Sequence, residues 1–395
     1  MKRLWDKDQP IDELILKYTA GHDFHLDERL IKYDIKSSIA HINMLKEMNL
    51  VKKEDCKKIS EALKIIGNEH EKGEWKIELN QEDGHTALEN HLVEKLGSLG
   101  GYIHLGRSRN DQVLAALRLY LKDISSIVNE ELINLVSKIN ILIDDQGEIE
   151  IPGYTHTQRG MPSSVKLWAE GYIAEFLDNA KSINNVISRA DKNPLGSAAG
   201  YGTPGLNIDR DLTTKKLGFK STHEPVTAVQ LSRGKAEAEM IFELTMILGD
   251  LAKLASDIIL FYSYEFSFIE IKKNITTGSS IMPQKNNPDV FELVRSAESI
   301  GIGSLMEVLS ISSKLISGYH RDLQRIKMPL FRSIDITLDS IKIMSHSITN
   351  ISFKKENIKL SDDMYTTEQA NKLSLEEKIS FRDAYNIIAK KINEE

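Results

Sequence analysis

The residue types best suited to chemistry are concentrated in one short stretch, Ile275–Asp289, which reads ITTGSSIMPQKNNPD. Two adjacent hydroxyls, Ser279 and Ser280, are followed by Lys285 and by three side-chain amides. The stretch ends in Asn287–Asp289, where a proline at the first helical position and an asparagine before it predict a helix start. Because helix N-termini and lysines both attract anions, the pattern predicts a mobile loop that closes on a carboxylate or phosphate. The alternative is a solvated turn between two helices.

A second polar stretch opens the clearest helix of the sequence. Ser108, Asn110 and Asp111 are all suitable N-caps, so a structural role explains one of them. That role leaves Arg107 and Arg109 unexplained. Because the planar guanidinium of arginine matches the geometry of a carboxylate, two arginines at a helix entry favour an anionic ligand.

A third polar stretch, Ile151–Pro162, contains a histidine between hydroxyl and amide side chains. Single histidines are usually structural. Here Pro and Gly lie on both sides, and Thr155 and Gln158 are able to orient the imidazole of His156. This setting favours a positioned acid or base.

The stretch Gly278–Asp289 resembles the signature loop of the fumarase/aspartase superfamily, whose members eliminate fumarate from an amino-acid, nucleotide or hydroxy-acid derivative. Within that superfamily, Gln284 and the run Ser108–Gln112 resemble the argininosuccinate lyase family. The similarity extends from about Leu4 to about Lys391. It implies an enzyme that reversibly eliminates fumarate from argininosuccinate to give arginine, in arginine biosynthesis, with neither a cofactor nor a metal.

The resemblance also implies roles for individual residues. Ser279 would remove the proton, and Lys285 with nearby backbone N–H groups would stabilise its alkoxide. His156, made more basic by Glu292, would assist proton transfer on the side of the leaving nitrogen. Substrate contacts are implied for Ser108, Arg109, Asn110, Thr155, Asn287, Tyr319, Gln324, Lys327 and His85.

The role of His85 stays open on the sequence. It matches a position that faces the substrate in the family, but Gly84 stands where the family has an apolar residue. Thr86 is also a suitable N-cap for the helix that follows. A structural turn and a substrate contact are therefore both compatible with this stretch.

The elements that must position these residues are long helices. Residues 112–146 contain neither Gly nor Pro, and their apolar residues recur at steps of three and four, which predicts a helix of roughly 50 Å. Further helices are predicted at about 164–191, 226–264, 288–316 and up to about 350, with no strand-rich segment. We expect an all-α, three-domain fumarase/aspartase-like fold with a central bundle of long helices. The expected domains are 1–105, 106–352 and 353–395, the last resembling a truncated C-terminal helical domain of the family.

Composition excludes several classes of protein. The 395 residues include 51 basic and 58 acidic side chains, a formal charge of −7 that gives no electrostatic footprint for nucleic acid. A single cysteine, Cys56, allows no intrachain disulfide, and no apolar run reaches membrane-span length. The start Met1–Asp6 lacks an apolar signal segment, so the cytoplasm is expected. Scattered histidines favour no metal site, and the glycine-rich run Leu195–Thr203 matches neither nucleotide-binding pattern.

Assembly and alternative functions complete the predictions. The long apolar stripes predict a homotetramer, and the family resemblance implies active sites shared between three subunits. The alternatives are another fumarate-releasing lyase, acting on adenylosuccinate, malate or aspartate, and a non-catalytic structural protein. No nucleic-acid or membrane partner is expected besides the small-molecule substrate.

Overall fold

The computed structural model of the protein describes residues 12–394. The start Met1–Asp6, on which the expectation of a cytoplasmic protein rests, and the rest of the first eleven residues lie outside the described residues. The fold is all-α, as predicted. Its α-helices are α1 Glu13–Ala20, α2 Asp23–Leu26, α3 Ile31–Glu47, α4 Lys53–Glu71, α5 Gly84–Leu96, α6 Arg109–Gln146, α7 Val165–Ala190, α8 Arg210–Leu217, α9 Val226–Leu231, α10 Lys235–Tyr262, α11 Asp289–Ser312, α12 Lys327–Ile348, α13 Thr366–Glu376 and α14 Phe381–Glu394.

Short strands connect some of these helices, and the sequence did not predict them. They are β1 Glu150–Thr155, β2 Gln158–Ser164, β3 Lys192–Asn193, β4 Ser221–Thr222, β5 Ile269–Ile271, β6 Thr277–Gly278, β7 Asn286–Asn287 and β8 Ile351–Phe353. They pair as β1 with β2, β5 with β8 and β6 with β7, all antiparallel, and as β3 with β4 in parallel. Most have only two or three residues, too few for an alternating pattern to appear in the sequence. Across residues 12–394, no helix is long and apolar enough to span a lipid bilayer.

The chain forms two compact units. The first contains residues up to Asn129 with Ser182–Leu244 and Ile300–Asp335, and the second contains Glu130–Lys181, Thr245–Ser299 and Ile336–Glu395. Five long helices, α6, α7, α10, α11 and α12, have at least 22 residues each and contribute a segment to each unit. The division into three domains stays a prediction.

The first unit has a core where α3, α4 and α5 meet. Ile42, Leu45, Ile59, Leu63 and Leu88 are at most 1% exposed and belong to one apolar cluster. These positions recur at steps of three and four on each helix, so each amphipathic helix buries one apolar stripe. This core holds the start of α5, and therefore His85, in a fixed position.

The second unit has polar contacts between two of its helices. Trp168 and Tyr172 on α7 both donate hydrogen bonds to Oδ2 of Asp257 on α10, at 2.9 and 2.7 Å. Near the C-terminus, α13 and α14 pack around a small core of Ala370, Ala384 and Ile388.

Two predicted helix boundaries were wrong in detail. The helix predicted over 226–264 is interrupted between α9 and α10, where Gly234 has a φ of +85° and a Cβ would lie 2.7 Å from Cβ of Ser312. At α11, the carbonyl of Pro288 accepts from the N–H groups of Phe291 and Glu292. Pro288 rather than Asn287 is therefore the N-cap.

Candidate active site

A cavity of about 330 Å³ lies within the first unit. Its walls combine side chains from α2, α5, the start of α6, the segment before α10 and the segment before α12. Small-molecule sites typically have about 300 to 1,000 Å³, so the cavity is large enough for a small ligand. Six residues that the sequence assigned to substrate binding line it: His85, Arg109, Asn110, Tyr319, Gln324 and Lys327.

Lys327 is buried and paired with two carboxylates. Its Nζ lies 2.5 Å from Oδ1 of Asp27 and 2.9 Å from Oδ2 of Asp23. Burial lowers the pKa of Lys327, but the two carboxylates outweigh it and the net shift is upward. Burial raises the pKa of Asp23 to about 7, against the opposing effect of Lys327. The ammonium therefore stays charged at the cavity wall.

His85 is held by a buried carboxylate. Its Nδ1 lies 2.5 Å from Oδ2 of Asp34, while its Nε2 has no hydrogen-bond partner in the described chain. Burial opposes the charge on the imidazole, but Asp34 outweighs it, so the pKa of His85 is raised. The raised pKa favours the protonated imidazole, and in that form Nε2–H at the cavity wall is a donor for an anionic or carbonyl oxygen.

Arg107 does not belong to the cavity, and the expectation that it binds a ligand is wrong. Its guanidinium is buried, where it donates to Oγ of Ser38 at 2.9 Å and to Oδ1 of Asp34 at 3.4 Å. Gln112 donates to the same carboxylate at 2.9 and 3.1 Å. Arg107 therefore supports the carboxylate that holds His85.

Arg109 faces the cavity from the first turn of α6. Its Nη1 donates to Oδ2 of Asp83 at 3.2 Å. Asp83 is also the N-cap of α5, because its Oδ1 accepts from the backbone N–H of Thr86 at 2.8 Å. Asp83 therefore takes the capping role that the sequence allowed for Thr86.

Ser108 and Asp111 form a reciprocal cap at the start of α6. Ser108 Oγ accepts from the N–H of Asn110 at 3.3 Å, and Asp111 Oδ1 accepts from the N–H of Ser108 at 3.0 Å. The other oxygen of Asp111 accepts from the N–H groups of Gly196 and Ala198, both at 2.9 Å. The glycine-rich run is thus a packed loop anchored by a carboxylate. Ser108 does not line the cavity, and its predicted substrate contact stays a prediction.

The segment before α12 brings three polar side chains to the cavity. Gln324 donates through Nε2 to the carbonyls of Thr19 and Ala20, at 3.0 and 3.2 Å. Arg321 donates to the carbonyl of Thr19 and to Oε1 of Gln324, at 3.0 and 3.1 Å. These bonds fix the segment that carries Tyr319 against the C-terminal end of α1.

The signature loop lies in the second unit, between the paired strands β6 and β7. Ser279 Oγ accepts from the backbone N–H groups of Met282 at 3.1 Å and of Ile281 at 3.4 Å. Ser279 is half-buried, whereas Lys285 is exposed. Two N–H donors at a hydroxyl oxygen favour its alkoxide form, which is the form a serine base requires.

His156 lies at the tip of the β1–β2 hairpin, also in the second unit. Thr155 pairs with Gln158, so His156 and Thr157 form a two-residue turn with φ of +55° and +58°. Such a turn normally takes Asn and Gly, because other side chains are strained at positive φ. A histidine kept there is consistent with a functional role.

Within the described residues, no hydrogen bond or ion pair joins His156 to Glu292. The side chains of Thr155, His156, Lys285 and Glu292 are exposed, and Asn287 is half-buried in β7. Their predicted roles stay predictions.

The sequence interpretation missed Arg233 and the two carboxylates, Asp27 and Asp34, that hold Lys327 and His85. Arg233 lines the cavity from the break between α9 and α10. The glycine after it, inside a long apolar repeat, was the available signal for a break. Asp27 and Asp34 gave no signal, because their partners are distant in the sequence.

Residues 7–300 match the lyase family. The chain therefore belongs to this family, and its resemblance to the fumarase/aspartase superfamily is confirmed. Two relatives are argininosuccinate lyases. That of Thermotoga neapolitana is 40% identical over 396 residues, covering 100% of this chain and 99% of the relative. That of Sorangium cellulosum is 38% identical, covering 99% and 90%. The crystal structure of EDDS lyase in complex with formate has a TM-score of 0.79 at 24% identity, covering 96% of this chain and 76% of that one, which supports the fold.

Proposed function

We propose that the protein is a carbon–nitrogen lyase that eliminates fumarate from argininosuccinate to give arginine, reversibly, in arginine biosynthesis. The observation that carries the proposal is the cavity of the first unit. It collects six side chains from three distant stretches, all assigned to substrate binding by resemblance. The relatives that match nearly the whole chain are argininosuccinate lyases.

The charges of the cavity suit this substrate. Argininosuccinate has carboxylates at both ends and a substituted guanidinium between them, so its site needs both cations and anions. The cavity offers the cations Arg109, Arg233 and Lys327 together with the carboxylates Asp23 and Asp83. A purely cationic wall would suit a simple dicarboxylate better, because a guanidinium requires acceptors.

The elimination requires a base and a proton for the leaving group. Ser279, as its alkoxide, would take the proton from the carbon beside a succinyl carboxylate, and the electron pair would move into that carboxylate. As the double bond of fumarate forms, the carbon–nitrogen bond breaks, and the guanidine nitrogen gains a proton with the assistance of His156. Lys285 would face the carboxylate on which charge develops. No cofactor or metal takes part in this proposal.

We infer further that the enzyme is a cytoplasmic homotetramer with shared active sites. Lys285 and His156 are exposed in a single chain and Ser279 is only half-buried, whereas this chemistry requires exclusion of water. Neighbouring copies that bring these residues to the cavity of another copy would meet the requirement. A single cysteine in 395 residues suits a reducing compartment.

The direct test is to add argininosuccinate to the purified protein and follow the absorbance of fumarate. Adenylosuccinate, malate and aspartate serve as parallel substrates. Fumarate released from argininosuccinate alone is the expected result. Preferential release from another substrate would assign the chain to a different lyase, and no release from any of them would support the non-catalytic alternative.

A further inference from the structure

Arg233 differs from the other cations of the cavity, because the described part of the chain leaves hydrogen-bond donors of its guanidinium without acceptors. It is 6% exposed, and its Nε and Nη1 have no hydrogen-bond partner within residues 12–394. Nor does any described carboxylate lie within ion-pair distance of it. By contrast, Lys327 and Arg109 each contact a carboxylate, and Arg321 donates to a carbonyl and an amide.

A buried and unpaired guanidinium is unfavourable in the empty protein. Removing a charge from water is unfavourable unless a partner compensates the charge, and two nearby groups make it more unfavourable here. Arg118 lies close enough that burial, together with the charge of Arg233, lowers its pKa to about 10, against the opposing effect of Glu237. Arg233 also directly precedes Gly234, whose carbonyl accepts the first bond of α10. The positive end of a 28-residue helix therefore lies beside it.

The surroundings hold this guanidinium in one place. Its Cζ lies 5.8 Å from the ring centroid of Tyr319, within the range of a cation–π contact. That contact orients the guanidinium but offers no acceptor for its N–H groups. The positive charge, the free donors and the helix end all favour the same complement, which is an anion with oxygen acceptors.

We propose that Arg233 binds a carboxylate of the substrate in this cavity. The proposal rests on the proposed function, because that function supplies the carboxylates. Binding would give the guanidinium the anionic partner that it lacks in the free enzyme. Because this guanidinium is already buried, binding removes little additional water from it. A substrate without a carboxylate at this position is disfavoured, since it would leave the guanidinium buried and unpaired.

The test compares R233M, R233K and R332M. Methionine keeps much of the volume without the charge, and lysine keeps the charge without the planar donors. Arg332 is the matched control, because it lies in the same unit, contacts Ser304 and Glu307, and does not line the cavity. For each variant, KM for argininosuccinate is measured by fumarate absorbance, and the Kd values of fumarate and of arginine are measured by calorimetry.

R233M should raise KM, and the Kd of at least one product, by about 10- to 100-fold, the usual loss for one charged hydrogen-bonding partner. R233K should lie between R233M and the unchanged protein, and R332M should match the latter. Because R233M removes an unsatisfied charge, its melting temperature without ligand should be equal or higher. The weakened product identifies the half of the substrate that Arg233 binds.

Failure of this inference differs from failure of the proposed function. If argininosuccinate is converted normally by R233M and both product affinities stay within about twofold, the inference is overturned while the function stands. If the unchanged protein does not convert argininosuccinate, the Kd values of fumarate and arginine decide. A Kd that is higher in R233M than in the unchanged protein supports the carboxylate site. Equal Kd values, or no binding to either protein, overturn the inference. A lower melting temperature or loss of folding in R233M would show a structural role and would also overturn it.

Discussion

Ser279 shows how local geometry makes a weak base usable. A free serine hydroxyl holds its proton at neutral pH, but here its oxygen already accepts from two backbone N–H groups of its own loop. Those donors require no reorganisation when the proton leaves, and their stabilisation of the alkoxide grows as water is excluded. The neighbouring hydroxyl of Ser280 accepts no such bonds from the described part of the chain and is exposed. The two serines therefore allow a matched comparison.

The first prediction is that Ser279→Ala lowers kcat by about 10²- to 10⁴-fold, the usual contribution of a positioned base, and leaves the Kd of argininosuccinate nearly unchanged. Steady-state rates and calorimetry with the variant test both parts. Ser280→Ala is the control and should keep most of the activity. If Ser280→Ala is the inactive variant, the base has been assigned to the wrong hydroxyl.

The second prediction concerns pH and the pair formed by His85 and Asp34. The raised pKa of His85 contributes stability that is fully present below its usual 6.5 and is lost as the pH rises through the raised value. Burial opposes ionisation of Asp34, but His85 and Arg107 outweigh it and lower the pKa of Asp34 to about 2. That contribution is present above the usual 3.8 and is lost as the pH falls towards 2. The pair therefore stabilises the fold most between pH 3.8 and 6.5.

Melting temperatures at a fixed protein concentration test this prediction from about pH 5, below the usual pKa of 6.5, to about pH 9, where an imidazole without a carboxylate partner is neutral. We expect His85→Gln to lower stability at pH 5 to 6 and to converge with the unchanged protein at higher pH. His41→Gln is the contrasting variant, because burial lowers the pKa of His41 to about 3. The neutral, buried His41 costs the unchanged protein stability as the pH falls below 6.5, so the stability difference should change in the opposite direction to that of His85→Gln. A constant difference across the range would show that the His85 pair carries no net charge interaction.

At the scale of residues, the sequence predicted most of the side chains that line the cavity, but it did not predict which polar side chains bind buried partners instead. His85, Arg109 and Lys327 reach the cavity as expected. Arg107 does not, because it precedes α6 and its guanidinium lies beside the buried carboxylate of Asp34. Whether a polar residue faces a ligand or a buried partner depends on residues distant in the sequence, and a single sequence does not contain that pairing.

At the scale of elements, periodicity predicted the long helices closely. The helix expected over 112–146 is observed as Arg109–Gln146, since three more residues are recruited by the reciprocal cap of Ser108 and Asp111. Periodicity failed where backbone conformation decides, as at Gly234 and at the hairpin tip of His156, both with positive φ. The spacing of apolar residues indicates which face of a helix is buried, but it contains no information about the backbone angle φ.

A third prediction separates the cap from the substrate contact at Ser108. Because its hydroxyl accepts from the N–H of Asn110, Ser108→Ala should lower the free energy of unfolding by about 1 kcal/mol. Thermal or urea unfolding measures this loss, and KM for argininosuccinate should change little because Ser108 does not line the cavity. Ser108→Asp is the control, since aspartate also caps well and should restore stability. A large rise in KM with unchanged stability would instead favour direct contact with the substrate.

At the scale of the whole molecule, two of the long helices carry large apolar side chains that a single chain leaves exposed. Exposed apolar side chains on α10 and α11 include Phe242, Met246, Leu293, Ile302 and Met306, at 49%, 49%, 71%, 48% and 60%. Contiguous apolar surface on a long helix usually marks an interface. A closed symmetric assembly that buries these faces is the homotetramer proposed above, and it would also cover the exposed loop and hairpin residues.

The last prediction tests whether different chains supply His156 and Ser279 to one site. His156→Asn and Ser279→Ala are each expected to be inactive, and asparagine suits the positive φ of the hairpin turn, so the first variant should fold normally. The two proteins are dissociated, mixed in equal amounts and reassembled. If the residues come from different chains, each is drawn independently from a half-mutant pool, and about one site in four should regain both. Each variant reassembled alone is the control and should stay inactive. If one chain supplied both residues, every site would contain one of the two substitutions and stay inactive. A mixture that forms tetramers without recovering activity would therefore refute the shared site.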